Sequence, residues 1–174
     1  MKKLLVVVDY QNDFIDGALG FKGAELLAPR IAARIAETRA NGGDVIFTLD
    51  THTDDYLETS EGRKLPIPHC IKGTDGHKLY PEIAALVRDG DVIIEKPSFG
   101  STELYDRLRD SDYTDIELCG LVTDICVVSN AILAKTALPE ARVSVAKSLT
   151  ATADKSKYDA ALAILASVQI DVTE

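Results

Sequence analysis

The chain has 174 residues, of which 46% are hydrophobic, so it is long enough to bury the core of one domain without metal or disulfide cross-links. Its 28 acidic and 19 basic side chains give a formal net charge of −9, which argues against nucleic acid or an anionic membrane as a partner. Three cysteines cannot all pair and match no zinc or disulfide spacing, so we expect a reducing, cytoplasmic compartment.

Aliphatic and β-branched runs alternate with helix-like segments along the chain. The predicted strands are Leu4–Val8, Val45–Leu49, Val92–Glu95, Ile116–Cys119, Arg142–Ala146 and Val168–Val172. The predicted helices run from Pro29 to Asn41, Pro81 to Arg88, Thr102 to Arg109 and Asp124 to Lys135, and a last one is capped by Asp154 and carries Leu165. The first apolar run stops at Asp9, too early for a signal peptide or a membrane span.

This alternation predicts an α/β fold: a three-layer, doubly wound sheet of about six parallel strands with helices on both faces. No linker or internal repeat is evident, so we expect a single domain over residues 1–174. The polar stretch from Thr51 to Gly76 has no clear periodicity. A loop of that length in a compact domain is usually functional or disordered.

Four reactive side chains follow the predicted strands: Asp9, Asp50, Lys96 and, one short turn later, Cys126. Ligands of such sheets bind at the carboxyl ends of the strands, where these groups are expected to meet. Cys126 falls in the first turn of a predicted helix, whose free N–H groups and dipole favour a thiolate. Taken singly, each has a simpler interpretation, since Cys126 can pack in a core and the others can be ordinary polar strand ends.

Three of the four form a coherent catalytic set. A cysteine attacks a carbonyl as the thiolate, and Asp9 can accept its proton. Lys96 would lower the pKa of the thiol and keep Asp9 ionised.

Asp50 and His52 lie on alternate positions of an extended segment and therefore face the same way. Together with His69 they form a candidate metal site, and Glu58 or Glu61 is available as a fourth ligand. The neighbouring Cys70 is expected to pack in the core. His77 is expected at the surface.

The chain resembles the isochorismatase-like cysteine hydrolases, and among them the nicotinamidase/pyrazinamidase branch. The resemblance is carried by Val7–Phe14, Asp50–His52, Pro68–Gly76, Lys96 with Ser98–Thr102, and Gly120–Val127. It implies hydrolysis of nicotinamide to nicotinate and ammonia through a cysteine thioester, a role in NAD salvage, and a homo-oligomer.

The resemblance also implies specific roles for individual residues. Asp9, Lys96 and Cys126 would be the catalytic triad, and Asp50, His52 and His69, with Glu61 preferred over Glu58, would bind a divalent metal, zinc before iron or manganese. A cis Leu121–Val122 peptide would direct the Val122 and Cys126 amides into an oxyanion hole. Phe14 and Tyr105 would contact the substrate, whose pyridine nitrogen would bind the metal directly or through water.

One departure from the resemblance concerns the substrate. Nicotinamidases usually carry a tryptophan shortly before the second metal histidine, whereas this chain contains no tryptophan and has Leu65–Pro68 there. The first alternative is therefore hydrolysis of another small amide or carbamoyl compound. Two further alternatives do not depend on the tryptophan: a metal-hydroxide amidohydrolase in which Cys126 only packs, and a non-catalytic binding protein on the same fold.

Overall fold

The computed structural model describes residues 2–174 and contains a six-stranded, wholly parallel sheet. The strands are β1 (Lys3–Val8), β2 (Asp44–Asp50), β3 (Val92–Lys96), β4 (Asp115–Leu121), β5 (Arg142–Ala151) and β6 (Asp171–Thr173). The helices are α1 (Asn12–Ile15), α2 (Ala28–Ala40), α3 (Pro81–Ala84), α4 (Thr102–Arg109), α5 (Val128–Ala137) and α6 (Lys155–Ser167). The strand order is β3-β2-β1-β4-β5-β6, which confirms the doubly wound α/β fold.

The two faces of the sheet are covered by different helices. Leu5 and Val7 of β1 point into a core that includes Ile31 and Ile35 of α2. The alternate β1 residues point into a second core, which includes Leu104 of α4 as well as residues of α5 and α6. Successive side chains of a strand face opposite sides, so β1, buried on both faces, reads as the continuous apolar run seen in the sequence.

Most differences from the predicted elements lie at their ends. The helix predicted from Pro81 to Arg88 is a single turn, and β5 continues to Ala151. The last strand begins later than predicted, because Val168 caps α6 and Gln169 adopts a φ of +63°. Asp154 caps α6 as predicted, accepting hydrogen bonds from the Ser156 and Lys157 amides.

Two short 3₁₀ turns, Ala24–Leu27 and Tyr56–Glu58, lie in the loops, and a π-helical turn, Thr123–Val127, precedes α5. The sequence predicted neither 3₁₀ turn. The helix predicted from Asp124 to Lys135 is an α-helix only from Val128 to Ala137, and Cys126 lies in the π-helical turn before it rather than in its first turn. Within residues 2–174 no helix combines the length and the apolar character needed to cross a bilayer.

Candidate active site

The carboxyl edge of the sheet brings together three groups from distant parts of the chain. Asp9 directly follows the central strand β1, Lys96 ends the edge strand β3, and Cys126 lies in the turn after β4. The Lys96 Nζ is 2.6 Å from the Asp9 Oδ2 and 3.5 Å from the Cys126 Sγ. These three side chains lie together, as expected from the sequence, and Asp9, Lys96 and Cys126 are called the trio below.

This trio is almost sealed from solvent: Asp9 is 0%, Lys96 1% and Cys126 4% exposed. The Lys96 ammonium also donates to the Ser98 carbonyl at 2.9 Å and lies 3.2 Å from the Asp50 Oδ1. A buried charge is tolerated only when it is paired and hydrogen-bonded, and here the lysine has partners on every side.

The electrostatics of the trio favour a neutral thiol at rest. Burial, and then the negative charge of Asp9, raise the pKa of the Cys126 thiol well above its ordinary value, and Lys96 opposes this shift. Burial also raises the pKa of Asp9. Burial would lower the pKa of Lys96, but the negative charges of Asp9, the Cys126 thiolate and Asp50 around it together outweigh burial, and the pKa rises. Formation of the thiolate therefore needs a proton acceptor, because the helix dipole alone does not lower the pKa of the Cys126 thiol enough.

The turn that carries Cys126 has an unusual backbone. The Leu121–Val122 peptide is cis, as the resemblance implies. Gly120 adopts a φ of +109°, and a Cβ there would lie 2.0 Å from the Val8 carbonyl oxygen, so only glycine lets β4 run this close to β1. The Val122 carbonyl accepts hydrogen bonds from the Ile125 and Val127 amides. The role of the Val122 and Cys126 amides as an oxyanion hole stays a prediction.

Beside the trio, Asp50, His52, Glu61 and His69 form a group whose potential ligand atoms all lie within 4.8 Å of one another. The Asp50 Oδ2 is 3.0 Å from the His52 Nε2 and 3.3 Å from the His69 Nε2. The Glu61 Oε1 is 3.8 Å from both of these nitrogens. Glu58 is exposed and outside this group, so of the two glutamates only Glu61 is placed to be a ligand.

The donor set suits a divalent ion such as zinc, because two imidazole nitrogens and two carboxylates converge on one point. The Nδ1 of His69 is 2.9 Å from the Ile67 carbonyl, which can only accept, so the Nε2 is left free to bind a metal. Burial would raise the pKa of Asp50, but the His52 and His69 rings beside its carboxylate, together with the Lys96 charge, hold that pKa below its usual range.

Two polar residues after β1, Gln11 just before α1 and Asp13 within it, support the metal group. The buried side chain of Gln11 accepts from the Asp50 amide at 2.8 Å and donates to the Asp50 and His77 carbonyls at 2.9 and 2.8 Å. The Asp13 Oδ2 accepts from the Cys70 amide at 2.7 Å and so fixes the backbone next to His69. Both residues lie in the motif that carries the resemblance, but their pattern alone did not assign them these partners.

Two aromatic rings flank the metal group, and the sequence predicted only one of them. Phe14 is buried with its ring 5.6 Å from that of His69, next to the metal group. Tyr56, which sequence reasoning missed, packs against both His52 and His69 at 4.7 and 5.1 Å. Tyr105 lies on α4 against the second core, with the Arg109 guanidinium 5.8 Å from its ring, and its role as a substrate contact stays a prediction.

The prediction that His77 lies at the surface is wrong. Its side chain is buried and its Nε2 lies 2.8 Å from the Thr51 hydroxyl, while its carbonyl accepts from Gln11. The residues that bury His77 lie far from it along the chain, so the sequence around His77 gives no sign of its burial. Cys70 is fully buried, as predicted, with a φ of +47°.

The chain is similar in sequence and structure to several known proteins. A model of the isochorismatase domain matches residues 3–174. Nicotinamidase/pyrazinamidase of Mycobacterium tuberculosis is 30% identical over 139 residues, 72% of this chain and 74% of that protein. Nicotinamidase PncA from Bacillus subtilis superimposes at a TM-score of 0.86 with 30% identity over the whole of both chains. N-carbamoylsarcosine amidase from Thermoplasma acidophilum superimposes at 0.82 with 28% identity, over 100% of this chain and 96% of that one.

Proposed function

The chain belongs to the isochorismatase family, and on that premise we propose that it hydrolyses the carboxamide of nicotinamide to nicotinate and ammonia through a thioester on Cys126. The observation that carries the proposal is the buried trio, in which the Lys96 Nζ lies 2.6 Å from the Asp9 Oδ2 and 3.5 Å from the Cys126 Sγ. The similarity to two nicotinamidases supports this substrate class.

In the first step the Cys126 thiol transfers its proton to Asp9 while its sulfur bonds to the carboxamide carbon. The C–N bond then breaks, and the proton held by Asp9 passes to the leaving nitrogen, which departs as ammonia. In the second half Asp9 takes a proton from water as the water oxygen bonds to the acyl carbon. The C–S bond breaks, the proton returns to the sulfur, and nicotinate is released.

Lys96 acts electrostatically in both halves of the reaction. Its ammonium stabilises the thiolate and the ionised form of Asp9 in a site that excludes water, where such an interaction is strong. Asp50, His52, Glu61 and His69 would hold a divalent metal, for which we propose zinc. When bound, that ion supplies Lewis-acid chemistry and a ligand position for the substrate.

We also propose a cytoplasmic enzyme of NAD salvage. The three cysteines are free and buried, and unpaired thiols persist in a reducing compartment.

A second candidate is a hydrolase of another small amide or carbamoyl compound. The absence of tryptophan favours it, because no indole is available to stack on a pyridine ring. The similarity to N-carbamoylsarcosine amidase supports the same class of substrate.

The test is ammonia release by the purified protein from nicotinamide, pyrazinamide and N-carbamoylsarcosine. We expect nicotinamide to be turned over fastest, Cys126→Ala to abolish turnover, and the matched Cys119→Ala, which alters another buried thiol, to retain it. A mass increase on Cys126 after acid quenching would identify the thioester.

Each alternative has its own outcome. Turnover of N-carbamoylsarcosine with none of nicotinamide would replace the first candidate by the second. Full activity of Cys126→Ala together with loss on metal removal would assign the reaction to a metal-bound hydroxide. Absence of turnover and of any acyl adduct would point to a binding protein.

A further inference from the structure

Asn130 lies on α5, one helical turn after Cys126, and is fully buried. Its side-chain amide has three backbone partners. The Nδ2 donates to the carbonyls of Phe99 and Cys126 at 3.0 and 2.8 Å, and the Oδ1 accepts from the Ser101 amide at 3.0 Å. Three of the four hydrogen bonds open to an amide are thus made, all to the main chain.

These partners belong to two segments that carry catalytic groups. Phe99 and Ser101 lie in the stretch that leads away from Lys96, and the Lys96 ammonium itself donates to the Ser98 carbonyl in that stretch. A Cβ on Gly100 would lie 2.8 Å from the Leu133 Cδ1, so residues 99–101 run directly against α5. One amide therefore joins the backbone of Cys126 to the segment that follows Lys96.

The sheet cannot provide this connection. β3 and β4 are separated by β2 and β1, so three strand spacings of about 4.8 Å each, roughly 14 Å, lie between their axes. No ladder hydrogen bond links the two strands. A lysine side chain is too short to span this gap, so the turn that carries Cys126 must lie closer to Lys96 than the axis of β4 does. The position of the Lys96 backbone relative to α5 is therefore set outside the sheet.

We propose that Asn130 is a positioning residue that fixes the distance between the Lys96 ammonium and the Cys126 sulfur. The inference rests on the proposed function, since it matters only if Cys126 is the nucleophile. An amide is required because the site needs two donors and one acceptor in one plane. Aspartate lacks the donors, and an aliphatic side chain lacks both.

Two variants distinguish loss of the bridge, meaning the Asn130 hydrogen bonds to Phe99 and Ser101, from loss of helix structure. In Asn130→Ser the hydroxyl can donate to the Cys126 carbonyl four residues back, as Ser129 does to Ile125 and Thr136 does to Ile132, but it is too short to reach residues 99–101. Asn130→Ala removes all three bonds. Ser129→Ala is the matched control, because it removes a local bond on the same turn and leaves the bridge intact.

The measurement is the rate of alkylation of Cys126 by iodoacetamide at neutral pH, followed by peptide mass spectrometry with Cys126→Ala as background. Displacement of a cation close to the sulfur lowers the thiolate fraction, so we expect alkylation to slow about tenfold in Asn130→Ser and Asn130→Ala. Ser129→Ala should react like the unaltered protein. With nicotinamide we expect a loss in kcat and an unchanged KM, because substrate contacts are kept.

Lys96→Met distinguishes failure of this inference from failure of the proposed function. If Lys96→Met alkylates at the original rate, lysine does not activate the thiol and the proposed mechanism fails. If Lys96→Met is slow but both Asn130 variants react at the original rate, Asn130 is not a positioning residue. Ile35→Ala, a core cavity on the opposite face of the sheet, provides a destabilised control, and equal slowing in it would also overturn the inference.

Discussion

The hydroxyl of Thr48 donates a 2.6 Å hydrogen bond to the Oδ1 of Asp9, the carboxylate oxygen opposite the one that faces Lys96. Thr48 is fully buried on β2, beside the end of β1. The carboxylate is thus held in one orientation by a hydroxyl on one side and an ammonium on the other.

Thr48→Val should therefore impair the proposed base while keeping the volume of the side chain. The pKa of Asp9 is already raised by burial, and loss of a donor to its charged form raises it further. We expect the acidic limb of kcat/KM against pH to move to higher pH and kcat/KM to fall about tenfold at neutral pH. Thr38→Val, a buried position on α2, is the control. An unshifted acidic limb would exclude Asp9 as the group that controls it.

Removal of one histidine from the metal group should abolish tight metal binding, whereas removal of the third histidine should not. His69→Ala deletes a nitrogen that lies 3.3 Å from the Asp50 Oδ2, and we expect zinc affinity to fall by at least about 100-fold. His77→Ala removes an imidazole outside the group. Competition with a chromophoric chelator measures both affinities. Equal zinc binding in the two variants would contradict the assigned site.

Gln11→Glu should loosen the backbone of Asp50. The change keeps the length of the side chain but replaces a donor by an acceptor opposite the Asp50 and His77 carbonyls. We expect a loss of about 2–3 kcal/mol in the free energy of unfolding, because a buried polar contact becomes repulsive. Urea denaturation measures this. Gln169→Glu, at an exposed position just after α6, should change the free energy of unfolding little. A similar loss in this control would show that the added charge, rather than the lost contact, destabilises the protein.

The protein should lose stability in alkaline solution. Burial raises the pKa of Cys119 above its ordinary value of 9.0, so the folded state keeps a proton that the unfolded state releases. Stability from this thiol is complete below about pH 9 and declines as the pH rises above it, by about 1.4 kcal/mol per pH unit once the unfolded thiol is ionised. Thermal melts across this range should fall less steeply for Cys119→Ala. An identical slope would assign the effect to other groups.

The sequence predicted the parts of the site that sit at strand ends. Asp9, Asp50 and Lys96 follow runs of aliphatic residues, and the parallel topology inferred from those runs is enough to bring them to one edge. The family resemblance added Glu61, whose choice over Glu58 agrees with its place in the group. Spacing alone left both glutamates open, because the stretch that carries them has no clear periodicity.

The sequence could not predict contacts made through backbone groups far along the chain. Gln11 binds the carbonyl of His77, 66 residues away, and this contact buries a histidine that reads as a surface residue. Asn130 looks like an ordinary polar position on a helix until its partners at Phe99 and Ser101 are known. Such residues carry no periodicity, and their role depends on the three-dimensional arrangement.

The metal group and the catalytic trio are distributed differently along the chain. The four potential metal ligands fall between Asp50 and His69, a single stretch that leaves β2 and returns before β3. The trio is drawn from the ends of three strands and exists only when the whole sheet is formed. Replacing that loop would remove His52, Glu61 and His69 and leave Asp50 on β2, so metal binding can be altered without changing the sheet. The trio of Asp9, Lys96 and Cys126 depends on the order of the strands, so no single segment of the chain can be exchanged to remove or transfer all three groups.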